Sequence, residues 1–328
     1  MATKLGSASI SKLYLGSNEI SKAYLGANEF FSSGDTTTFI TTWRTTTSNE
    51  TITIPTTGGG YNYNITTSDG QTFTSVSGNQ TITFASAGDY DVSISGDFPR
   101  IYINNSRSQK LKLIDIKQWG NIVWSSFASA FYGCSNLTGS FTDAPNLTNV
   151  TSLYLTFTGA INFNGDVSSW NTSNVTNMFG TFYIASSFNK PLNNWDVSNV
   201  TIMSGMFRGA STFNQDINNW DVSNVTNMDR LLQQTAFNQN IGIWDITSVS
   251  SFLFFLTSTN SLTTANYDAI LIGWEATLQA AFPNGSGYTP SISINFGNSE
   301  YTGGGAAEAS RTSLINNFNW TITDGGIA

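Results

Sequence analysis

The chain has 328 residues, 39% of them hydrophobic and 13% aromatic, so it is long enough to bury a sizeable core. Its formal net charge of −8 argues against binding to nucleic acid, because a phosphate backbone requires clustered Lys and Arg. The chain has no histidine and a single cysteine, Cys134, which excludes an intrachain disulfide framework and a cysteine-rich metal site.

The N-terminal region contains a ten-residue repeat, ISKLYLGSNE followed by ISKAYLGANE. Its β-prone runs alternate with glycine-containing turns, which predicts a small meander of strands. Two or three short strands do not form a stable core, so we predict that residues 1–34 anchor the chain to another subunit. The alternative is a tail that is ordered only in a crystal or a particle. The apolar side chains of this assembly segment are Leu13, Tyr14, Leu15, Tyr24 and Leu25.

The N-terminus has no apolar run of signal-peptide length, and no segment approaches the roughly 20 apolar residues of a membrane span. We therefore expect neither export by a signal peptide nor insertion into a membrane.

Residues 35–115 show apolar and polar residues in alternation, which is typical of strands. The segments are TITIP (51–55), YNYNI (61–65), TITF (81–84), YDVSISG (90–96) and RIYIN (100–104), and they predict a β-sandwich. The run TFASAGDYDVSISG resembles the closing strands of polycystic-kidney-disease-type domains. Only Asp69 and Gly70 of the turn motif of those domains are present, so the resemblance implies the sandwich and no binding site.

From residue 119 the sequence repeats with a period of about 25 residues, and equivalent positions in successive repeats form columns of like residues. This period is typical of a solenoid, whose turns stack their apolar side chains on one another. We predict about six turns over residues 116–256. Cys134 falls in an alanine column and is predicted to be core. The main aromatic columns are Trp170, Trp195, Trp220 and Trp244, and Phe163, Phe188, Phe213 and Phe237.

Two polar columns accompany the aromatic ones. The asparagines are predicted to accept hydrogen bonds from the backbone amides of successive corners. The serines precede segments with helical spacing and are predicted to cap one helical turn per repeat. The columns are Asn164, Asn189, Asn214 and Asn238, and Ser173, Ser198 and Ser223.

A column of acids, Asp196, Asp221 and Asp245, is headed by Asn171. Stacked repeats would place these acids about 5 Å apart, close to the separation in retaining glycosidases, and carboxylates also suit Ca²⁺. Identical acids at one repeated position are more simply turn residues that accept local amide hydrogen bonds. We therefore predict no catalytic residue, no cofactor and no metal, with a glycan depolymerase and a calcium site as alternatives.

Residues 257–328 leave the repeat pattern and are predicted to form an α/β cap over the last turn. NYDAILIGWEATL and AAEASRTSLINNFNW have helical spacing, whereas SISINF and TIT are typical of strands. The predicted buried face of the first helix comprises Tyr267, Ile270, Leu271, Trp274 and Leu278.

The repeat sequence FNQDINNWDVSNVTNM resembles the repeats of BspA-like leucine-rich-repeat proteins, found in mycoplasma lipoproteins, bacterial surface proteins and marine phages. LTTANYDAILIGW with TITDGG is similar to the C-terminal segment that often closes such chains. The resemblance implies a surface-displayed adhesion or recognition module without catalytic residues. ISKLYLGSNE resembles N-terminal segments of phage virion proteins.

Together these observations predict a mainly β virion structural protein of a tailed phage, in which the solenoid binds a host-surface glycan or protein. Its other partners would be virion proteins, contacted through the N-terminal segment, and further copies of itself, as a trimer by analogy with phage fibres. The absent signal peptide favours assembly in the host cytoplasm and display on the virion surface. The alternatives are a bacterial adhesin on the cell surface and, third, a glycan depolymerase.

Overall fold

The structure, a computed structural model, describes residues 35–257 and 262–328 fully and, before them, the backbone of four short strands. These strands are β1 (Leu13–Leu15), β2 (Asn18–Ile20), β3 (Lys22–Leu25) and β4 (Asn28–Ser32). They form two antiparallel pairs, β1 with β2 and β3 with β4. The side chains predicted as the assembly segment, Leu13, Tyr14, Leu15, Tyr24 and Leu25, lie outside the described residues.

The fold is mainly β, with one large sheet, an extensive buried aromatic core and a small helical region at the C-terminus. Eight strands follow the N-terminal pairs: β5 (Phe39–Thr45), β6 (Glu50–Ile54), β7 (Asn62–Thr67), β8 (Thr72–Val76), β9 (Gln80–Phe84), β10 (Gly88–Asp97), β11 (Leu113–Gln118) and β12 (Thr138–Gly139). Six of them form a sheet in the order β12-β11-β5-β10-β7-β8, in which only β11 and β12 are parallel. The other two, β6 and β9, pair with each other. Side chains of both sheets are buried in one continuous core.

The predicted strand at RIYIN is wrong, because residues 100–104 are not in a strand. The amide of Ile103 donates to the carbonyl of Ala130, and the amide of Asn105 donates to that of Tyr132. The next repeat uses the same pattern, since Phe131 donates to Thr156. This segment therefore stacks on the first repeat. The predicted boundary at residues 115/116 falls within β11, and the division of the chain into domains stays a prediction.

Successive repeats stack in parallel through single-residue bridges. The bridges join Ser152, Asn177, Ile202, Asn227 and Ser251 in one ladder. Between residues 140 and 257 the structure has turns and no helix or longer strand. The predicted short strand and helical turn of each repeat are therefore wrong. The backbone amides bond instead to carbonyls of the following repeat, as when Met178 donates to Ile202, and this leaves no run of intrahelical bonds.

The structure places the predicted aromatic columns inside the repeat stack. Their eight members, Trp170, Trp195, Trp220, Trp244, Phe163, Phe188, Phe213 and Phe237, are all buried. The phenylalanine rings stack with successive centroids 6.2, 6.2 and 6.4 Å apart and planes within 10° of parallel. Such offset stacking adds to the free energy gained by burial.

The C-terminal region closes the end of the repeat stack. Its elements are α1 (Thr264–Ala281), β13 (Ser293–Asn295), β14 (Glu300–Tyr301), α2 (Ala306–Phe318), β15 (Thr321–Thr323) and β16 (Gly326–Ile327), with a 3₁₀ turn at Pro283–Gly285. The predicted buried face of α1 is confirmed. Phe252 of the last repeat bridges to Ile294 of β13, so the stack continues into the cap. In the described parts of the chain, no helix combines the length and apolar character that crossing a bilayer requires.

Candidate binding surface of the repeats

The asparagine column forms the predicted ladder at the corners of the repeats. The Oδ1 atom of Asn164 accepts the amide of Asn189 at 3.0 Å, and Asn189 accepts that of Asn214 at 3.0 Å. Asn214 in turn accepts the amide of Asn238 at 2.8 Å, and Asn238 accepts that of Thr263 in the cap. These side chains satisfy backbone donors and are therefore part of the framework.

The tryptophan column forms a second ladder, which the sequence analysis did not foresee. The indole Nε1–H of Trp195 donates to the carbonyl of Val167 in the preceding repeat at 2.9 Å. Trp220 and Trp244 repeat this bond to Leu192 and Ile217, at 2.9 and 3.1 Å. These indoles are engaged within the stack and do not present a free polar edge to a ligand.

The acid column has local partners. The Oδ1 atom of Asp221 accepts the amide of Ser223 at 3.1 Å and its hydroxyl at 2.6 Å, and these bonds lower the pKa of Asp221. Asp196 and Asp245 make the same pair of bonds, as does Asn171 at the head of the column. A general acid needs a raised pKa, whereas the hydrogen bonds to Asp221 lower its pKa and favour its charged carboxylate.

This geometry corrects the predicted helix caps. Ser173, Ser198 and Ser223 donate both amide and hydroxyl to the Asn or Asp two residues earlier. Their hydroxyls therefore cap no helix, and they close a turn instead. Within the described residues, no group of three or more acidic or cysteine side chains is arranged to hold a metal ion.

Cys134 is fully buried in the core, where burial raises the pKa of its thiol. A thiol whose pKa is raised stays protonated at neutral pH and is a poor nucleophile. Ala160, Ala185 and Ala210 of the same column are also fully buried. Cys134 therefore serves as a small core residue.

A charged cleft of about 740 Å³ lies beside β5, β10 and β11, and its carboxylates are also occupied. Asp89 accepts two hydrogen bonds from Arg44, each 2.7 Å long, and Asp91 accepts one from the Nζ of Lys117 at 2.8 Å. Asp115 accepts hydrogen bonds from Thr138 and Ser140. Each acid of the cleft is engaged by neighbouring donors, so the cleft offers no free carboxylate pair for catalysis.

A second groove, of about 260 Å³, lies on the outer surface of the repeats and has a different character. Its side chains come from equivalent turns of five successive repeats, so it crosses several layers of the stack. We call it the aromatic–arginine groove, and its walls are Tyr132, Leu155, Phe179, Tyr183, Arg208 and Arg230.

Glycine opens the floor of this groove. Gly180 and Gly205 occupy equivalent left-handed positions, with φ of +60° and +62°. A Cβ at Gly205 would meet no atom within 4 Å, whereas a Cβ at Gly180 would collide with the side chain of Leu155. The same position is filled by Leu155 before them and by Arg230 after them, with φ of +53° and +57°. A left-handed conformation costs roughly 1–2 kcal/mol for residues with a side chain, so packing must hold both in place. The layer of Gly205 is thus open, and the side chain of Leu155 covers the layer of Gly180.

The two arginines of the groove stack on aromatic rings. The guanidinium carbon of Arg208 lies 5.0 Å from the ring centre of Tyr183, and that of Arg230 lies 4.9 Å from that of Phe254. Neither guanidinium forms an ion pair or a hydrogen bond with any described residue, and the Nε of Arg208 is buried without an acceptor. Among the described residues, no carboxylate lines the groove. The side chains that line it therefore carry a net positive charge.

Exposed aromatic side chains extend the groove. Tyr154 is 39% exposed and stacks on Phe179 with ring centres 5.2 Å apart, and Phe254 is 42% exposed. Sequence reasoning missed this surface because it followed the positions that repeat. The sequence does indicate it at one equivalent position of the repeats, where the residue type varies instead of recurring. The residues at this position are Leu155, Gly180, Gly205, Arg230 and Phe254.

The chain matches the family described as "Mycoplasma protein of unknown function, DUF285" over residues 103–203, 125–235 and 192–270. These overlapping matches cover just over half of the chain, which therefore belongs to this family, whose repeats are related to BspA-like leucine-rich repeats. The match begins at residue 103, whose amide donates to the carbonyl of Ala130 in the first repeat. No curated protein and no solved structure matches the chain.

Proposed function

We propose that this chain is a non-enzymatic adhesion protein of a phage virion, which binds a host-surface ligand through its repeats. In this proposal the repeats of residues 116–256 form a leucine-rich-repeat-like solenoid. The two sheets before them form a sandwich of the polycystic-kidney-disease type, which spaces the solenoid from an N-terminal anchor.

The aromatic–arginine groove is the observation that carries the binding role. Elsewhere in the stack, the aromatic columns are buried and the asparagine ladder is internally bonded. In the groove, aromatic rings are partly exposed, and the two guanidinium groups stack on aromatic rings and form no ion pair with the described residues. Exposed aromatic and arginine side chains are typical of recognition surfaces.

The acids support a role without catalysis. The carboxylates of the acid column and of the charged cleft accept hydrogen bonds from the protein itself. A glycan depolymerase requires one carboxyl group as general acid and a second as base or nucleophile. The engaged acids make this alternative less favourable than adhesion.

The N-terminal strands support attachment to a particle. In the described strands, β1 to β4 pair only within their own two hairpins. An isolated two-stranded hairpin is marginally stable in water, so a partner that extends or covers it would stabilise it. Other virion proteins or further copies of the chain would supply that partner.

A bacterial cell-surface adhesin is the second candidate, and the family description favours it because it refers to a mycoplasma protein. Both candidates bind through the same groove, and they differ in whether a phage particle or a bacterial cell displays the chain.

Immunogold electron microscopy with an antibody against the chain separates these candidates. Label on phage particles is expected, and removal of residues 1–34 should abolish it while leaving the melting temperature nearly unchanged. Arg107→Gln, a change at an exposed side chain outside the groove, is the control and should load normally. Label on bacterial surfaces alone would favour the second candidate, and label confined to the cytoplasm would refute both.

A further inference from the structure

We propose that the aromatic–arginine groove binds a single carboxylate-bearing sugar residue, of the uronic or sialic acid type. This inference rests on the proposed adhesion function and specifies the ligand class of the same surface.

The charge of the groove selects an anion. Arg208 and Arg230 both line it, no acid lines it, and neither arginine is paired with a described residue. Arginine presents a planar fork of donors that matches a carboxylate. The Nε of Arg208 is buried without an acceptor among the described residues, so a ligand carboxylate would have to bind the terminal nitrogens of the guanidinium group.

The acid closest in sequence forms no ion pair with either arginine. Asp229 directly precedes Arg230, but its Oδ1 accepts the hydroxyl of Ser251 and the amide of Leu253 in the next repeat. It is not among the residues that line the groove. The positive charge is therefore available to a ligand.

The aromatic walls select a ligand with an apolar face. Phe179 and Tyr183 are partly exposed, and the ring of Tyr183 is held in place by Arg208. A pyranose ring presents C–H groups on one face and hydroxyls at its edge, so it can pack on an aromatic ring while its substituents reach polar partners. Ser204 at the groove donates its hydroxyl to the carbonyl of Asp229 and retains lone pairs that can accept from a sugar hydroxyl.

The size of the groove limits the ligand to about one ring. Its volume of about 260 Å³ lies below the roughly 300–1,000 Å³ of sites for drug-sized molecules. Gly205 leaves part of the floor open, while the side chains of Leu155 and Arg230 bound the groove on either side.

A long polyanion fits less well than one acidic residue. The chain carries a net charge of −8, and the described residues that line the groove include two cations, Arg208 and Arg230. Phosphate-backbone binding depends on many such contacts. A terminal acidic sugar requires only the local pair of arginines.

Isothermal titration with four probes tests the proposal on the full chain. Glucuronic acid and glucose differ in the carboxylate alone, N-acetylneuraminic acid presents the carboxylate on a different ring, and glucose 6-phosphate presents a phosphate instead. At least one of the two carboxylate sugars should bind with a Kd near 1 mM, as is ordinary for a single small ligand, and at least tenfold more tightly than glucose. Arg208→Gln and Arg230→Gln should each weaken that binding at least tenfold. Arg107→Gln should leave it unchanged, and far-ultraviolet circular dichroism should show all three variants folded.

Four results would overturn the proposal: no binding of either acid up to about 10 mM, equal binding of glucose, tighter binding of glucose 6-phosphate, or binding that survives both groove substitutions. If neither acidic sugar binds but an acidic peptide binds and requires Arg208 and Arg230, the proposal is also overturned. Failure of the acidic-sugar site can be distinguished from failure of the adhesion function. A chain that labels host cells equally with and without Arg208 and Arg230 would keep its adhesion role and lose the acidic-sugar site.

Discussion

Substitution of Phe213 by alanine tests the packing of the repeat stack. The Phe213 ring is fully buried and stacks between the rings of Phe188 and Phe237. Its centre lies 3.9 Å from the centre of the Phe207 ring. Truncation of a buried phenylalanine costs about 3–5 kcal/mol through lost burial and a residual cavity. Because the neighbouring rings are held by the layers above and below, the cavity cannot collapse easily, and we expect the upper part of that range.

Urea unfolding followed by tryptophan fluorescence measures this cost as a change in midpoint at constant slope. Phe254→Ala is the matched control, because Phe254 is 42% exposed and its loss should cost less than about 1 kcal/mol. A cost below about 1 kcal/mol for Phe213→Ala, or equal costs for both variants, would contradict the packing described for the columns.

Three further predictions concern polar groups. Asn214→Ala removes the acceptor of the Asn238 amide and should lower the free energy of unfolding by about 1–3 kcal/mol in the same urea assay, whereas no loss would make the ladder incidental. Asp221→Asn keeps an Oδ1 acceptor and should change the melting temperature little, and a chelator should also have little effect on it. A large loss of stability with the chelator would support the calcium alternative. Loss of a measured release of reducing ends in Asp221→Asn would support the enzymatic alternative. The pKa of Glu50 is lowered from 4.5 to about 2, mainly by its hydrogen bond with Lys112. A carboxylate with a lowered folded-state pKa stabilises the fold above the unfolded value and loses that contribution as pH falls. Melting temperature should therefore decrease from about pH 4.5 towards pH 2, less steeply for Glu50→Gln, and identical slopes in a calorimetric pH series would refute this assignment.

The sequence predicted the interior of the molecule well because burial imposes a period. Residues such as Phe188 and Trp220 recur at the repeat length, and each must face the core if the repeats stack. The buried face of α1 followed in the same way from its 3.6-residue period, as Tyr267 and Trp274 show.

Local conformation was predicted less well, because the backbone is governed by bonds between repeats. The segment after Ser173 has helical spacing, yet the amide of Met178 bonds to the next repeat rather than back along the chain. Ile103 alternates like a strand residue but stacks on the first repeat. Tertiary hydrogen bonds thus outweighed local propensity.

The groove could not be read from periodicity because its residues are those that differ between repeats. Arg208 and Arg230 come together only when the turns stack, and the open part of the floor depends on the glycine at position 205. An alignment of the repeats against one another identifies these variable positions. Their exposure requires the three-dimensional structure.

The most direct test of adhesion is flow cytometry of intact host cells with the fluorescently labelled full chain. The wild-type chain and Arg107→Gln should label the cells saturably and to the same extent, without release of reducing ends. Arg208→Gln with Arg230→Gln should reduce the labelling if the groove is the contact. The absence of saturable labelling by the wild-type chain would contradict the account.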